Sequence, residues 1–453
     1  MSDTALDRML DELYGRVGEK SPQPRLSATR KALELLGDPH RSYPIVHITG
    51  TNGKTSTSRL IESILRAHGL RTGLFTSPDL GYLGQRIVVD GEPIAEDALI
   101  AAWNEVKPFL ELADAELATT DEPPLTFFEA LTVLAYAVFA DAPIDVGVIE
   151  VGMGGEWDST NVADGQVAVF APIDLDHTER LGRTVEEIAR TKAGIIKPGR
   201  SVVTAAQQPA ALAEIERAAA LSEADVSVEG RDFSVLSRTP AVGGQVVDVQ
   251  GRAGRYDGLF VPLLGAHQAQ NTAVAIAAVE TFLGGGEQPL TGDVLAEGLA
   301  GATSPGRLQV LGSGPLLVVD AAHNPHGVTA MTTALAESFS LNHVVAVLAV
   351  LSDKDAEGMV RAAAGLVDDF VVTTAPSDRT TDPDALAATV VGVVGSERVV
   401  VEPDIEQALR TARELADEHA TAPDSAEGPG VVVFGSITLV ARVIDLVREH
   451  GWP

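Results

Sequence analysis

The stretch Pro44-Ile45-Val46-His47-Ile48-Thr49-Gly50-Thr51-Asn52-Gly53-Lys54-Thr55-Ser56 decides the fold class. A proline followed by a short apolar, β-branched run predicts a strand over 45–48. Leu60, Ile61, Ile64 and Leu65 then recur at helical spacing until Gly69 stops them. Strand, glycine loop and helix therefore follow one another directly. At such a junction the free amides and the dipole of the helix N-terminus favour a phosphate, and Lys54 adds a charge for the β- and γ-phosphates. The general P-loop spacing would need glycine where this chain has Ile48, but the shorter form Gly-Thr-Asn-Gly-Lys-Thr is complete. Gly50, Thr51, Asn52, Gly53, Lys54, Thr55 and Ser56 are thus candidate phosphate ligands.

Outward from this segment, apolar runs predict strands over 145–151 and 167–173. Thr184 with Glu187 forms a capping box that opens a helix reaching Lys192, and Lys197, Pro198 and Gly199 then turn the chain. Short alternating pieces rich in glycine over 226–262 predict a small antiparallel excursion, after which helical spacing returns at His267. The glycines of 284–286 and 301–306 punctuate the chain beyond this helix, so the domain boundary is expected near residue 303, dividing the chain into 1–302 and 303–453. The second part repeats the alternation, with strands expected over 316–320, 344–351, 370–374, 398–401 and 431–434 and a solvated loop over 420–430. The fold class is α/β: a large P-loop-type ATPase domain with a mainly parallel sheet, plus a smaller Rossmann-like domain.

Composition narrows the function. Lys and Arg number 33 against 64 Asp and Glu, a net charge of −31, which disfavours a nucleic-acid backbone or an anionic membrane as partner. Any anionic ligand needs a local cationic pocket. There is no cysteine, which removes disulfides, thiolate metal sites and cysteine nucleophiles together. The charged, amphipathic start is no signal peptide, and no apolar run approaches the roughly 18 residues that span a bilayer. A cytoplasmic protein is expected.

Three further residues are candidates for chemistry. Glu150 ends an apolar strand, where a carboxylate can face nucleotide-bound Mg²⁺, and Gly152, Gly154 and Gly155 beside it permit close backbone approach. His177 follows Asp174 and Asp176 after another strand, a position that equally suits a hydrogen-bonded structural residue. Lys192, on sequence alone, reads as an ordinary helical lysine.

In these motifs the chain resembles folylpolyglutamate synthase/dihydrofolate synthase, a family of the Mur ligase superfamily, from about Leu26 to the C-terminus. The resemblance is carried by the Gly50 to Ser56 loop, by Glu150-Val-Gly-Met-Gly-Gly through Asp158-Ser-Thr-Asn161, and by Asp176-His177 and Lys192-Ala-Gly. It continues through His267-Gln268 with Asn271, Pro305-Gly306-Arg307, Asp320-Ala-Ala-His323-Asn324-Pro325, Asp353-Lys354-Asp355 and Gly435-Ser436. It implies that the loop holds ATP phosphates, that Ser77, Glu150 and His177 ligate Mg²⁺, and that Lys192 is carbamylated, its carboxylate serving the metal. Asn271 would contact adenine, while Arg307, Asp320 and His323 would reach the nucleotide across the cleft between two domains that close during turnover. The implied chemistry is ATP-driven amide formation: a folate or dihydropteroate carboxylate becomes an acyl phosphate, which the amine of L-glutamate displaces. A monomer is expected. Two other readings stay open: a Mur-type ligase with a non-folate acyl substrate, and a non-catalytic ATP-binding regulator. The regulator has no need of Glu150, His177 and Lys192 together.

Four positions depart from the family pattern, all near segments implied to border the acyl substrate, to which Asp79, Arg86, Glu156, Asp158 and Ser159 belong. Asp79 stands for the usual His, Gln85 for Glu, Glu156 for Arg and Ser159 for Ala. If Asp79 and Glu156 face the substrate, the preferred acid is less anionic or differently placed, and Glu156→Arg should lower the KM for pteroate-type acids. The alternative is that both point into water and the site is conventional.

Overall fold

The computed structural model describes residues 4–18, 23–420 and 427–452. The main sheet comprises Ile45–Thr49 (β1), Thr72–Phe75 (β2), Ile87–Val89 (β3), Glu92–Pro93 (β4), Val146–Glu150 (β5), Val167–Phe170 (β6), Ser201–Thr204 (β7) and Asp225–Val228 (β8). Their spatial order is β4-β3-β2-β5-β1-β6-β7-β8, parallel throughout except for β3 and β4 at one edge. β1 is buried on both faces, which explains why its residues, Ile45, Val46 and Ile48 among them, do not alternate apolar with exposed polar.

One face of this sheet packs against helices Lys54–Ala67, Ala266–Gly284 and Gly292–Ala300, around Leu60, Ile64, Ala273, Ile276 and Leu295. The other face is covered by helices Ala5–Tyr14, Ser27–Leu35, Glu96–Ala118 and Phe127–Asp141, with Leu33, Trp103, Leu131 and Phe139 in the layer. From β1 the chain crosses to β2 on one side, whereas from β6 it continues to β7 on the other. The crevice beyond the carboxyl ends of β1 and β6 is therefore a switch point, where open α/β sheets bind ligands.

β6 stops at Phe170, short of the expected 173, because Pro172 has no amide to continue the ladder. Residues 171–177 are thereby released into the crevice. The antiparallel excursion is also shorter than expected. Asp225–Val228 follows helix Pro209–Leu221 as a crossover and pairs parallel with β7. Only Ser234–Ala241 (β9), Gly244–Gln250 (β10) and Arg255–Val261 (β11) form the antiparallel sheet.

The second sheet contains Gln309–Ser313 (β12), Leu316–Val319 (β13), Leu341–Leu348 (β14), Asp369–Val372 (β15), Val399–Val401 (β16) and Gly428–Phe434 (β17). Its order is β12-β13-β17-β14-β15-β16, with only β12 antiparallel. Of the loop expected over 420–430, residues 421–426 lie outside the described residues, and Gly428 already pairs in register with Leu341. Among the described residues no helix is long and apolar enough to cross a membrane.

Candidate active site

Between the two sheets lies a cleft of about 690 Å³, lined by Thr51 to Ser56 from the first and by Arg307, Asp320 and His323 from the second. Two glycines make the loop after β1 possible. Gly50 has φ +152°, and a Cβ there would stand 2.7 Å from the Ala171 side chain; Gly53 has φ +85°, and its Cβ would meet Asn271 Oδ1 at 2.7 Å. The first amides of helix Lys54–Ala67, which have no partner within the helix, then belong to residues that line the cleft. The amides of Thr51 and Asn52 are committed elsewhere, donating to Pro172 O at 2.8 and 3.3 Å. Ser56 turns away from the loop, its hydroxyl 2.9 Å from Ser304 Oγ.

Lys54 is the first residue of the helix rather than an exposed loop charge. Its Nζ donates to Gly50 O at 3.2 Å and Thr51 O at 3.3 Å, a curled position with no carboxylate in contact. Burial lowers its pKa, opposed by the carboxylates of Glu150 and Asp176. Thr55, one residue on, donates its hydroxyl to both Glu150 oxygens at 2.9 and 3.0 Å, and the Ser77 amide reaches Glu150 Oε2 at 3.4 Å. Burial raises the Glu150 pKa, with Lys54 pulling against it.

His177 sits at φ +50° after the Asp174 to Asp176 turn. Burial, reinforced by the charge of Lys354, pushes its pKa down to about 3, so its imidazole is neutral and able to offer a lone pair. Lys192 is not a surface lysine: it is 4% exposed, and its Nζ donates to Gly50 O at 2.7 Å. Burial, with Lys54 adding to it, lowers its pKa to about 7. Gly50, Lys54, His177 and Lys192 share a small cavity of about 40 Å³ beside the cleft. A buried carboxylate beside the Thr55 hydroxyl, with a neutral imidazole lining the same cleft, suits a hard divalent cation. Among the described residues there is no ready cluster of three His, Asp or Glu donors, so phosphate and water would have to complete the sphere of Mg²⁺.

Asn271 is buried and donates to Gln268 Oε1 at 3.0 Å. Asp320 uses both oxygens on backbone, accepting from Leu308 N at 2.8 Å and Ala322 N at 2.7 Å. It braces the turn that carries Arg307, whose guanidinium is left with Gly306 O at 3.2 Å. His323 bonds Ala321 O through Nδ1 at 2.9 Å and approaches Asp176 at 3.4 Å. Asp176 also takes Lys354 Nζ at 2.6 Å, across the cleft. Burial works to raise the Asp176 pKa, but His323 and Lys354 outweigh it and hold the carboxyl well below its usual range.

The residues expected to border the acyl substrate divide. Asp158 and Ser159 line the cleft, Asp158 holding Met153 N at 2.8 Å and Thr160 Oγ1 at 2.6 Å. Asp79, Arg86 and Glu156 are outside its lining. Asp79 is bound to Arg86 Nε at 2.6 Å, so the pair is internally neutralised, and Arg86 lies over the Phe127 ring. Asp79→Ala is therefore expected to lower stability by about 2 kcal/mol, read from the denaturant midpoint, with little effect on substrate affinity. Glu156 is exposed, and its backbone rather than its side chain ties the segment, through Thr191 O at 2.9 Å and Asn161 Nδ2 at 3.0 Å. Its exposure favours the reading in which it points into water, and Glu156→Arg is expected to leave the KM for pteroate-type acids within about twofold. Sequence reasoning missed the apolar wall of Phe128, Met153 and Trp157, although Met153 and Trp157 fall inside the quoted Glu150 to Asn161 segment. It also assigned no role to Lys354, Arg379 or Ser436, which line the far side.

A strand, glycine loop and helix with a buried strand-end glutamate, facing a second sheet across a cleft, is an arrangement that suits a Mur-type ligase. Residues 48–279 match the Mur ligase middle domain family and residues 306–436 the Mur ligase glutamate ligase domain family. The chain is 41% identical over 446 residues to the dihydrofolate synthase/folylpolyglutamate synthase of Mycobacterium tuberculosis, covering 95% of this chain and 91% of that one. Its fold matches the Mycobacterium tuberculosis folylpolyglutamate synthase complexed with ADP at a TM-score of 0.93 and 40% identity, over 98% of each chain. E. coli FolC in complex with DHPP and ADP superposes with a TM-score of 0.84 at 27% identity, over 98% of each chain. This chain belongs to the folylpolyglutamate synthase/dihydrofolate synthase family and is an ATP-dependent ligase.

Proposed function

We propose that this protein, acting as a cytoplasmic monomer, joins L-glutamate to a folate-type carboxylate, on dihydropteroate as well as on reduced folates. The observation that carries the reading is the combination in one cleft of the Gly50 to Thr55 cradle, the buried Thr55–Glu150 pair and an apolar wall of Phe128, Met153 and Trp157. A flat heteroaromatic acid fits that wall, and Asp158 and Glu129 supply buried carboxylates in the same lining.

In the proposed roles, the helix amides and Lys54 hold the β- and γ-phosphates, with Arg307 arriving from the second sheet. Ser77, Glu150, His177 and a carbamate on Lys192 would hold Mg²⁺, which when bound offsets phosphate charge as a Lewis acid. Asn271 borders the adenine position, and Asp320 acts through Arg307 by fixing its turn. The substrate carboxylate attacks the γ-phosphorus and ADP leaves. The glutamate amine then attacks the acyl carbon, phosphate leaves, and the amine loses a proton. Residues 1–302 and 303–453 are the two bodies proposed to close around these steps.

Phosphate release from ATP, measured with glutamate and each of dihydropteroate, tetrahydrofolate and unrelated aromatic acids, tests the reading. Release is expected only with glutamate and a pteroate-type acid together. Turnover without glutamate, or with no preference for pteroates, would overturn it.

A further inference from the structure

The side chain of Asn52 is committed across the cleft rather than to the loop that contains it. Its Nδ2 donates to Asn324 Oδ1 at 3.2 Å and stands 2.9 Å from His326 Nδ1, while Asn324 Nδ2 donates back to Asn52 Oδ1 at 3.1 Å. This is a reciprocal amide pair between residues 272 apart in sequence. Asn52 follows the central strand of the main sheet; Asn324 caps helix Pro325–Ser338, whose Val328, Met331 and Leu335 pack into the second sheet's core. Asn324 is itself well fixed, because its Oδ1 also accepts from Gly327 N at 2.8 Å and its Nδ2 reaches Asp176 at 3.3 Å.

Asn52 lies between Gly50 and Gly53, both at positive φ, and on its own side of the cleft it is held through its amide on Pro172 O at 3.3 Å, longer than the 2.8 Å of Thr51. We propose that Asn52 and Asn324 form a clasp that transmits approach of the second sheet unit to the phosphate-binding loop. Asn52 is then a positioning residue: its side chain fixes the loop amides in working geometry only when the two units are together. The inference rests on reading the loop as the phosphate site. The Asp176–Lys354 ion pair also crosses the cleft; it is untouched by removing the Asn52 amide, whereas removing the Asn324 amide takes one hydrogen bond from Asp176.

When one amide is lost the other keeps partners of its own, Asn52 at His326 and Asn324 at Gly327 and Asp176, but the clasp needs both, so losing both costs little more activity than losing one. The test uses Asn52→Ala, Asn324→Ser and the double variant. Serine keeps an oxygen for the helix cap but is too short to reach Asn52. Thermal midpoints check folding, and glutamate-dependent phosphate release gives kcat/KM. Calorimetry gives AMPPCP affinity, and small-angle scattering with AMPPCP gives the radius of gyration. Each single variant is expected to lose about tenfold in kcat/KM, and the double about the same tenfold rather than a hundredfold. The nucleotide-bound radius should grow, with AMPPCP affinity within about twofold of wild type for Asn324→Ser. Multiplicative losses, or unchanged kcat/KM and radius, overturn the clasp. If Asn52→Ala loses AMPPCP while Asn324→Ser behaves as wild type, Asn52 serves the nucleotide directly; the clasp falls and the phosphate reading stands. If Lys54→Ala keeps full AMPPCP affinity and turnover, it is the phosphate reading that falls.

Discussion

Lys54→Ala is expected to lower ligation by a hundredfold or more while leaving the protein folded. Among the described residues Lys54 has no carboxylate at ion-pair distance, and its ammonium rests on the carbonyls of Gly50 and Thr51, at the longer end of hydrogen-bond distances. Those contacts are readily exchanged for phosphate oxygens, which carry full charge. Because burial lowers the Lys54 pKa, the ammonium is disfavoured at this position, and an incoming polyanion relieves it. That difference is largest when charge builds on the transferring phosphoryl group, so the loss should fall on kcat as well as on nucleotide affinity. Stability should change little, since alanine suits the first turn of a helix and Lys54 packs no core. Glutamate-dependent phosphate release beside a thermal melt checks both halves. Near-normal turnover in a folded variant would remove Lys54 from the site.

The contrast between what sequence disclosed and what it hid tracks the range of the interactions. The strand, glycine loop and helix around residue 50 were readable because every requirement is local: glycines at 50 and 53, a helix start at 54, an apolar strand before them. The partnership of Thr55 with Glu150 was not, because it depends on β5 lying beside β1, a pairing between segments about a hundred residues apart. Asp79 looked like a charge reversal at the substrate because its partner, Arg86, was read as a substrate residue too; only the structure shows the two neutralising each other. Among helices, Phe127–Asp141 is buried on nearly every side and so lacks a polar stripe, while Glu96–Ala118 carries Pro108 within it. Neither offers the periodicity that marked residues 54–67. Lys192 shows the same limit for single side chains: a lysine two residues after an arginine on a short capped helix reads as solvent-facing, yet helix Val185–Lys192 turns it inward onto Gly50.

That inward turn leads to the second large effect. A lysine forms a carbamate only as the neutral amine, which adds CO₂ and releases one proton. With a pKa near 10.5 almost none would be neutral at pH 7, but burial and the nearby Lys54 bring Lys192 to about 7. About half is then competent at neutral pH. The reactive fraction falls as pH drops below about 7 and approaches saturation above 8, so bicarbonate-dependent activation should rise through that window. Lys192→Ala is expected to lose metal-dependent ligation by about a hundredfold or more, with partial recovery on adding a small carboxylate such as acetate. Lys192→Arg separates the alternatives: it keeps a cation that can still approach Gly50 O but provides no primary amine, so it should be as inactive as the alanine variant. Activity alone does not show the carbamate, and ¹³C-bicarbonate supplied to the wild type should give a protein-bound carbonyl resonance absent from both variants. If that resonance is missing from fully active enzyme, or if Lys192→Arg retains most of the turnover, Lys192 works as an ammonium that holds the glycine loop and the carbamate assignment fails.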